Sequence, residues 1–234
     1  MKTNPKWYFA EKQIGVDYSE SEIASEYDFE HQQFRDFKKE AEDMVEKLNI
    51  TKKEVVLDYG CGTGEITLEL ASHAKEVIGV DISPSMLELL TKKAKYKQIH
   101  NIKTHCTGFL TYQHQGAKVD KMVSKFAMHH LPDFWKSVAL LKMSNCLKKG
   151  GKLYFSDLVF TIPPAEYEIS LNQMIDNMKK TASKSMVQET IIHIKEEFST
   201  YDWIMEGLFK KTGFSIDSKV IETENFVTYI CSKI

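Results

Sequence analysis

The stretch Asp58-Tyr59-Gly60-Cys61-Gly62-Thr63-Gly64 puts a carboxylate ahead of three glycines at alternate positions. Glycines let a backbone turn sharply and come close to a ligand, and the N-terminus of a following helix offers free N–H groups. An anionic group is the expected guest of such a turn, although glycines at a strand–helix junction also serve plain tight packing. Two details separate the possible guests. A dinucleotide fingerprint wants its third glycine where this chain has Glu65, and it expects no acid two residues ahead of the first glycine. Both expectations fail. Asp58 instead suits a ligand that carries a cation, such as an amino-acid ammonium. Asp81 ends a second apolar run, VIGVD, where a carboxylate accepts from both ribose hydroxyls; on its own that feature suits a nicotinamide dinucleotide equally.

Further along, His129 and His130 follow the run VDKMVSKF, at the carboxyl edge of a sheet where ligands of open α/β folds bind. An unperturbed imidazole titrates near neutrality, so either one suits a general base acting on a hydroxyl, thiol or amine acceptor. Lys125 either faces the same cleft or snorkels from the strand end. Asp157 either lines the same cleft or is a solvated or helix-capping carboxylate. Tyr201 and Trp203 are able to stack on a flat substrate, but an amphipathic aromatic at a seam between elements is the commoner case. The four cysteines, Cys61, Cys106, Cys146 and Cys231, lie far apart with no C-x-x-C pair, which argues against a zinc site and a disulfide framework. No metal site is expected.

These residues need elements to position them. VVLDYG (55–60), VIGVD (77–81), IKTHC (102–106), VDKMVSKF (119–126) and KLYFSDLVF (152–160) read as strands, with helical periods over 63–74, 84–96 and about 133–147 between them. Strands alternating with helices imply a doubly wound, mostly parallel sheet with right-handed crossovers. Residues 20–49 carry no proline or glycine and repeat apolar residues at helical spacing, which predicts one long or broken helix. After Pro163-Pro164 the pattern changes to two helices, about 165–181 and 184–197, before a further helix near 201–211. The runs 214–221 and 226–233, joined by the short link ETEN, predict an antiparallel hairpin.

VVLDYGCGTGEIT and VIGVDISPSML resemble the first two motifs of the class I S-adenosylmethionine-dependent methyltransferases, small-molecule type. VDKMVSKFAMHHLPD and LKKGGKLYFSD are similar to the fourth- and fifth-strand motifs of that superfamily. The resemblance covers about residues 50–160 and, in the final hairpin, 214–233. It implies a Rossmann-like, seven-stranded sheet with an N-terminal lid helix (1–49), a core (50–160 and 201–234) and a helical insertion covering the substrate (161–200). It implies S-adenosyl-L-methionine as cofactor and S-adenosyl-L-homocysteine as product. The loop of Gly60, Cys61, Gly62, Thr63 and Gly64, with Asp58, would contact the methionine part, Asp81 the ribose, and Ile82 and Met86 the adenine; Lys125 is placed with these cofactor contacts. On the N-terminal helix, Tyr27 would close on the methionine carboxylate and Arg35 would pair with it; the plain reading is a core aromatic and a solvated arginine. One departure stands out. Many relatives end the third strand in Gly-Asp, whereas this chain reads Gly108-Phe109, so adenine would be held by backbone groups there. Histidine before Leu-Pro is also common in the superfamily without a base role.

Methyl transfer from a sulfonium needs neither a covalent nucleophile nor a metal, so positioning and exclusion of water suffice. The expected function is transfer to a small-molecule acceptor by a cytoplasmic monomer or homodimer. A tRNA or protein methyltransferase is the main alternative. Lys plus Arg at 31 against Asp plus Glu at 33 gives a net charge of −2, and the fourth strand runs into Ser124-Lys125-Phe126-Ala127 instead of an Asn-Pro-Pro-aromatic loop, so no nucleic-acid partner is expected. A cofactor-binding regulator without transfer activity is the third reading. No run of roughly 18 apolar residues exists to span a membrane.

Overall fold

A computed structural model of the protein describes residues 5–12, 28 and 35–234. The first described helix, α1 (Phe37–Leu48), starts where the Asp36 side chain accepts the Lys39 N–H at 3.0 Å, and stops at Asn49 in the left-handed region. Its Ala41, Met44 and Leu48 share one face and are buried. The expected helix over 20–49 is thus present from Phe37; Arg35 and Asp36 are not helical, and the earlier part lies outside the described residues apart from Asp28.

The alternation then follows as expected: β1 (Val55–Tyr59), α2 (Glu65–Ala71), β2 (Glu76–Asp81), α3 (Pro84–Tyr96), β3 (Ile102–Cys106), β4 (Val119–Lys125), α4 (Asp133–Cys146) and β5 (Leu147–Phe160). Ser83 caps α3, with Pro84 in its first turn. The insertion is α5 (Tyr167–Thr181) and α6 (Lys184–Glu196); β6 (Thr200–Tyr201), α7 (Asp202–Lys211), β7 (Phe214–Thr223) and β8 (Phe226–Lys233) close the chain. The main path of the sheet has seven strands in the order β3-β2-β1-β4-β5-β8-β7, parallel except for β8, which pairs antiparallel with both neighbours. The sequence reading missed β6, a two-residue strand beside the end of β5, because so short a run carries no period. It also began β5 too late: Leu147 already pairs with Val119, ahead of an irregularity between Val119 and Lys121.

The buried strand residues alternate between two cores, as period-two geometry demands. Leu57, Ile78, Met122, Phe155 and Tyr229 pack with α4 and α7 on one face. Val56, Val77, Val123, Tyr154 and Ile230 pack with α1 on the other. Strand order reverses between β1 and β4, the point where an open α/β sheet leaves a crevice at its carboxyl edge. No helix among the described residues is long and apolar enough to cross a membrane.

Candidate functional site

At that crevice the glycine turn is built for close approach. Gly60, Gly62 and Gly64 all lie at positive φ. A Cβ on Gly60 would fall 2.2 Å from the Ala127 Cβ, so the β1 and β4 ends touch through a position that only glycine fills. The Gly62 N–H donates to Asp81 Oδ2 at 2.9 Å, and the Ser83 N–H donates to Asp81 Oδ1 at 2.9 Å, so the loop and the end of β2 are tied through one carboxylate. Burial pushes the Asp81 carboxyl up, with the N–H bonds acting against it. Asp58 is buried and accepts the Thr67 hydroxyl at 2.6 Å; burial, with the nearby Asp81 charge, raises its pKa to about 6.

Two adjoining cavities open here. The larger, partly open to solvent, is lined by Gly60, Gly62, Asp81, Ile82 and Met86 together with Gly108 and Phe109. Lys125, Phe126 and His130 form its far wall. The smaller runs past Asp58, Cys61 and Thr63 to Arg35, and shares Gly60, Gly62 and Lys125 with the first. Gly64 lines neither; it is the left-handed cap of α2, packed on Leu90. Phe126 stands at φ 53, an uncommon conformation for a bulky residue, held by its N–H bond to the Ser156 carbonyl and by stacking on Phe226. Tyr59 stacks on Phe109 at 5.0 Å under the cavity floor.

Arg35 reaches the smaller cavity, as expected of a lid residue, but its guanidinium makes paired bonds to Glu40 at 3.0 and 2.7 Å and lies over the Phe37 ring. Lys125 meets the same Glu40 at 3.0 Å. Burial works against the Glu40 charge, yet Arg35 and Lys125 outweigh it and hold the carboxyl low. Tyr27 lies outside the described residues. Its neighbour Asp28 accepts the Thr63 hydroxyl and pairs with Lys93, which also pairs with Glu65 at 2.6 Å.

Sequence reasoning missed Glu11. Residues 5–12 run against the loop after β3: Tyr8 donates to the Leu110 carbonyl at 3.2 Å and its ring meets Trp135, while the Glu11 carboxylate accepts the Leu110 N–H at 2.9 Å. Glu11 sits so close that a Cβ on Gly108 would lie 2.4 Å from its carboxylate. A carboxylate is therefore present beside Gly108 after all, supplied from the N-terminal segment and not from the end of β3. Only the acid's place directly after an aromatic run, WYFAE, hinted at it.

The two histidines part company. His130 lines the larger cavity, and burial, with the neighbouring His129, lowers its pKa to about 4. His129 points away into the protein, its Nδ1 on Asp157 at 2.5 Å and its Nε2 on Glu197 at 3.1 Å. Asp157 also accepts the Met128 and His129 N–H groups at 2.9 and 3.1 Å and is buried, so it caps the short 3-10 turn Met128–His130 and is not solvated. Tyr201 and Trp203 stack on each other and line neither cavity; Trp203 is exposed.

Residues 50–220 match a family model described as a methyltransferase domain. The chain belongs to this family. It is thus a methyltransferase, and its sheet is the Rossmann-like one that the motifs implied. An uncharacterized methyltransferase of Geobacillus sp. (strain WCH70) is 29% identical over 185 residues, covering 79% of this chain and 81% of its own. Among solved structures, a S-adenosylmethionine-dependent methyltransferase from Clostridium acetobutylicum ATCC 824 matches with a TM-score of 0.68 at 16% identity, covering 91% of this chain and 98% of that one. Magnesium protoporphyrin IX methyltransferase from Synechocystis PCC 6803, solved with bound S-adenosylmethionine, matches with a TM-score of 0.60 at 16% identity, covering 90% and 83%. At those identities the likeness is one of fold.

Proposed function

We propose that the enzyme methylates a small-molecule acceptor and holds S-adenosylmethionine across the two joined cavities. The observation that carries this reading is the pair of carboxylates on either side of the glycine turn, with Asp81 facing the larger cavity and Asp58 the smaller. Asp81 would accept from the ribose hydroxyls, Ile82 and Met86 would flank the adenine, and Gly108, Phe109 and Glu11 would border its edge. Asp58 and the loop of residues 60–63 would receive the ammonium, with Gly64 only shaping the turn, and Lys125 and Arg35 bring cations toward the methionine carboxylate. The donor, when bound, supplies an electrophilic methyl group that the acceptor takes by in-line displacement. The chain then has to aim the acceptor and keep water out. Phe126, Ala127 and His130 form the wall that remains for it.

A small acceptor is favoured because α5 and α6 add a cover beyond the core, with residues 161–200 serving as the substrate-facing insertion and residues before 50 as the lid. The balanced charge gives no general attraction to nucleic acid, and the Synechocystis neighbour acts on a small molecule, magnesium protoporphyrin IX. The four cysteines are all free, which supports a reducing, cytoplasmic setting, with the chain acting as a monomer or homodimer. Calorimetry with S-adenosylhomocysteine tests the donor site: Asp81→Ala should weaken binding at least about tenfold, the loss of charge-assisted bonds, and unchanged affinity would refute the assignment. Release of S-adenosylhomocysteine over a metabolite panel tests the acceptor class. Turnover on tRNA or protein alone overturns it, and binding with no turnover on any acceptor favours a regulator.

A further inference from the structure

Behind the cavity wall, residues far apart in sequence bring nitrogen and carboxylate ligands to one point. Ligand atoms of His129, His130 and Glu197 all lie within 4.8 Å of one another. Glu197 is fully buried at its side chain and ends α6, where His193, one turn earlier, also meets its Oε2 through Nδ1. His129 is 3% exposed.

The hydrogen bonds of this cluster do not close. The His129 Nδ1 faces Asp157, and the Asp157 oxygens are already taken up by backbone N–H groups, an arrangement that fixes Nδ1 as the donor. His129 Nε2 then faces Glu197 Oε2, which His193 Nδ1 also faces. Meanwhile Glu197 Oε1 and His130 Nδ1 are buried with no hydrogen-bond partner among the described residues. Buried polar groups are nearly always satisfied, so two orphans in one cluster call for a missing partner. A carboxylate oxygen and an imidazole lone pair are both acceptors, and a cation serves both.

We propose that His129 Nε2, His130 Nδ1 and the Glu197 carboxylate hold a divalent transition-metal ion of the zinc type. Two imidazoles and one carboxylate are a donor set of that class, and three protein ligands leave a position open for a further ligand. Asp157 on the outer nitrogen of His129 supplies the carboxylate that commonly orients a metal-bound histidine and raises its basicity. His193 shares the Glu197 oxygen and stands as a fourth ligand or as a second support for that carboxylate. The Lys136 charge acts on the cluster, but its ammonium is engaged by Asp133 and by the Phe198 carbonyl, which leaves the carboxylate of Glu197 to the imidazoles. The absence of paired cysteines, which argues against a zinc site in the sequence, says nothing of a site built from histidine and glutamate. His130 belongs to both the cluster and the cavity wall, so the open position faces the space assigned to the acceptor. That orientation alone rests on the proposed function. A metal there would hold an acceptor oxygen or sulfur and favour its deprotonated form.

The full-length protein, stripped with a chelator, is titrated with Zn2+ against a chromophoric competitor and, separately, with Co2+ followed by visible absorption. The expected result is one ion per chain, with cobalt bands of an ordered nitrogen–oxygen site. Glu197→Gln and His130→Asn should each lower zinc affinity by roughly a hundredfold, with circular dichroism showing both folded. Glu197→Gln should also keep its affinity for S-adenosylhomocysteine. Should Glu197→Gln fail to fold, His130→Asn and His193→Gln carry the test. Substoichiometric zinc in the parent chain, or equal affinity in the folded variants, would overturn the site. Zinc binding without S-adenosylhomocysteine binding would refute the donor reading instead, so the two failures are separable.

Discussion

At the residue scale, Asp58 is where function and stability oppose each other. Its carboxyl is buried, its pKa is raised to about 6, and the one side chain that helps it is the Thr67 hydroxyl. Below the unfolded value near 4 the group is neutral in both states and carries no penalty. As pH rises through 6 the unfolded chain ionises freely while the folded chain resists, so that advantage is lost and the native state is worse off by roughly 3 kcal/mol. Asp58→Asn keeps the shape and the bond from Thr67 and removes the buried charge. Its melting temperature should therefore rise relative to the parent as pH goes from 4.5 to 8, while its affinity for S-adenosylhomocysteine falls. A gap between the two proteins that stays flat with pH would show that Asp58 is not ionising within the fold. A bound ammonium is the partner that would make this charge tolerable, which is the physical reason for a carboxylate in so costly a place.

At the scale of elements, the short segment 5–12 is held to the loop after β3 by the Glu11 carboxylate and the Tyr8 hydroxyl. Burial raises the Glu11 carboxyl, with the Leu110 N–H bond acting against it, so this attachment is most stable when the group is neutral and weakens as pH rises. Glu11→Gln should keep the contact to Leu110 and gain melting temperature relative to the parent at pH 8. Glu11→Ala should lose melting temperature and weaken S-adenosylhomocysteine binding several-fold, because the loop under the adenine end is left unsupported. Equal melting curves for all three would mean that the segment does not brace the loop. The strands and helices were legible in the sequence because each repeats its own local period, and the glycine turn was legible because its residue types are demanded by backbone shape. Glu11 was not, since its partner lies 99 residues away and nothing in its own neighbourhood announces the meeting. A long separation likewise hid Glu197 from His129, and an acid after a strand, Asp157, reads identically whether it lines a cleft or caps a turn.

At the scale of the whole molecule, the sheet and its two cores are continuous from β3 to β7, while the insertion is attached differently at its two ends. Helix α5 has no buried residue, and Tyr167 and Ile169 stand exposed on it. The end of α6, in contrast, is bound into the core through Glu197 and through the Phe198 N–H bond to the His129 carbonyl. Removing α5 alone therefore exposes what its half-buried face covers and no fully buried side chain, whereas loss of the segment after α6 unpairs the turn that carries His130. Replacing residues 165–181 with a short Gly-Ser linker should lower stability by about 2–4 kcal/mol at most, in line with a helix whose Leu171, Met174, Ile175 and Met178 are half-buried and none of whose side chains is fully buried. It should leave S-adenosylhomocysteine affinity intact, because the cavities are lined entirely from the core and the N-terminal segment. Turnover of the natural acceptor should fall far more than donor binding, through KM, if α5 covers that acceptor. Full turnover in the shortened enzyme would remove the insertion from the acceptor site and leave the wall at Phe126, Ala127 and His130 as the whole of it.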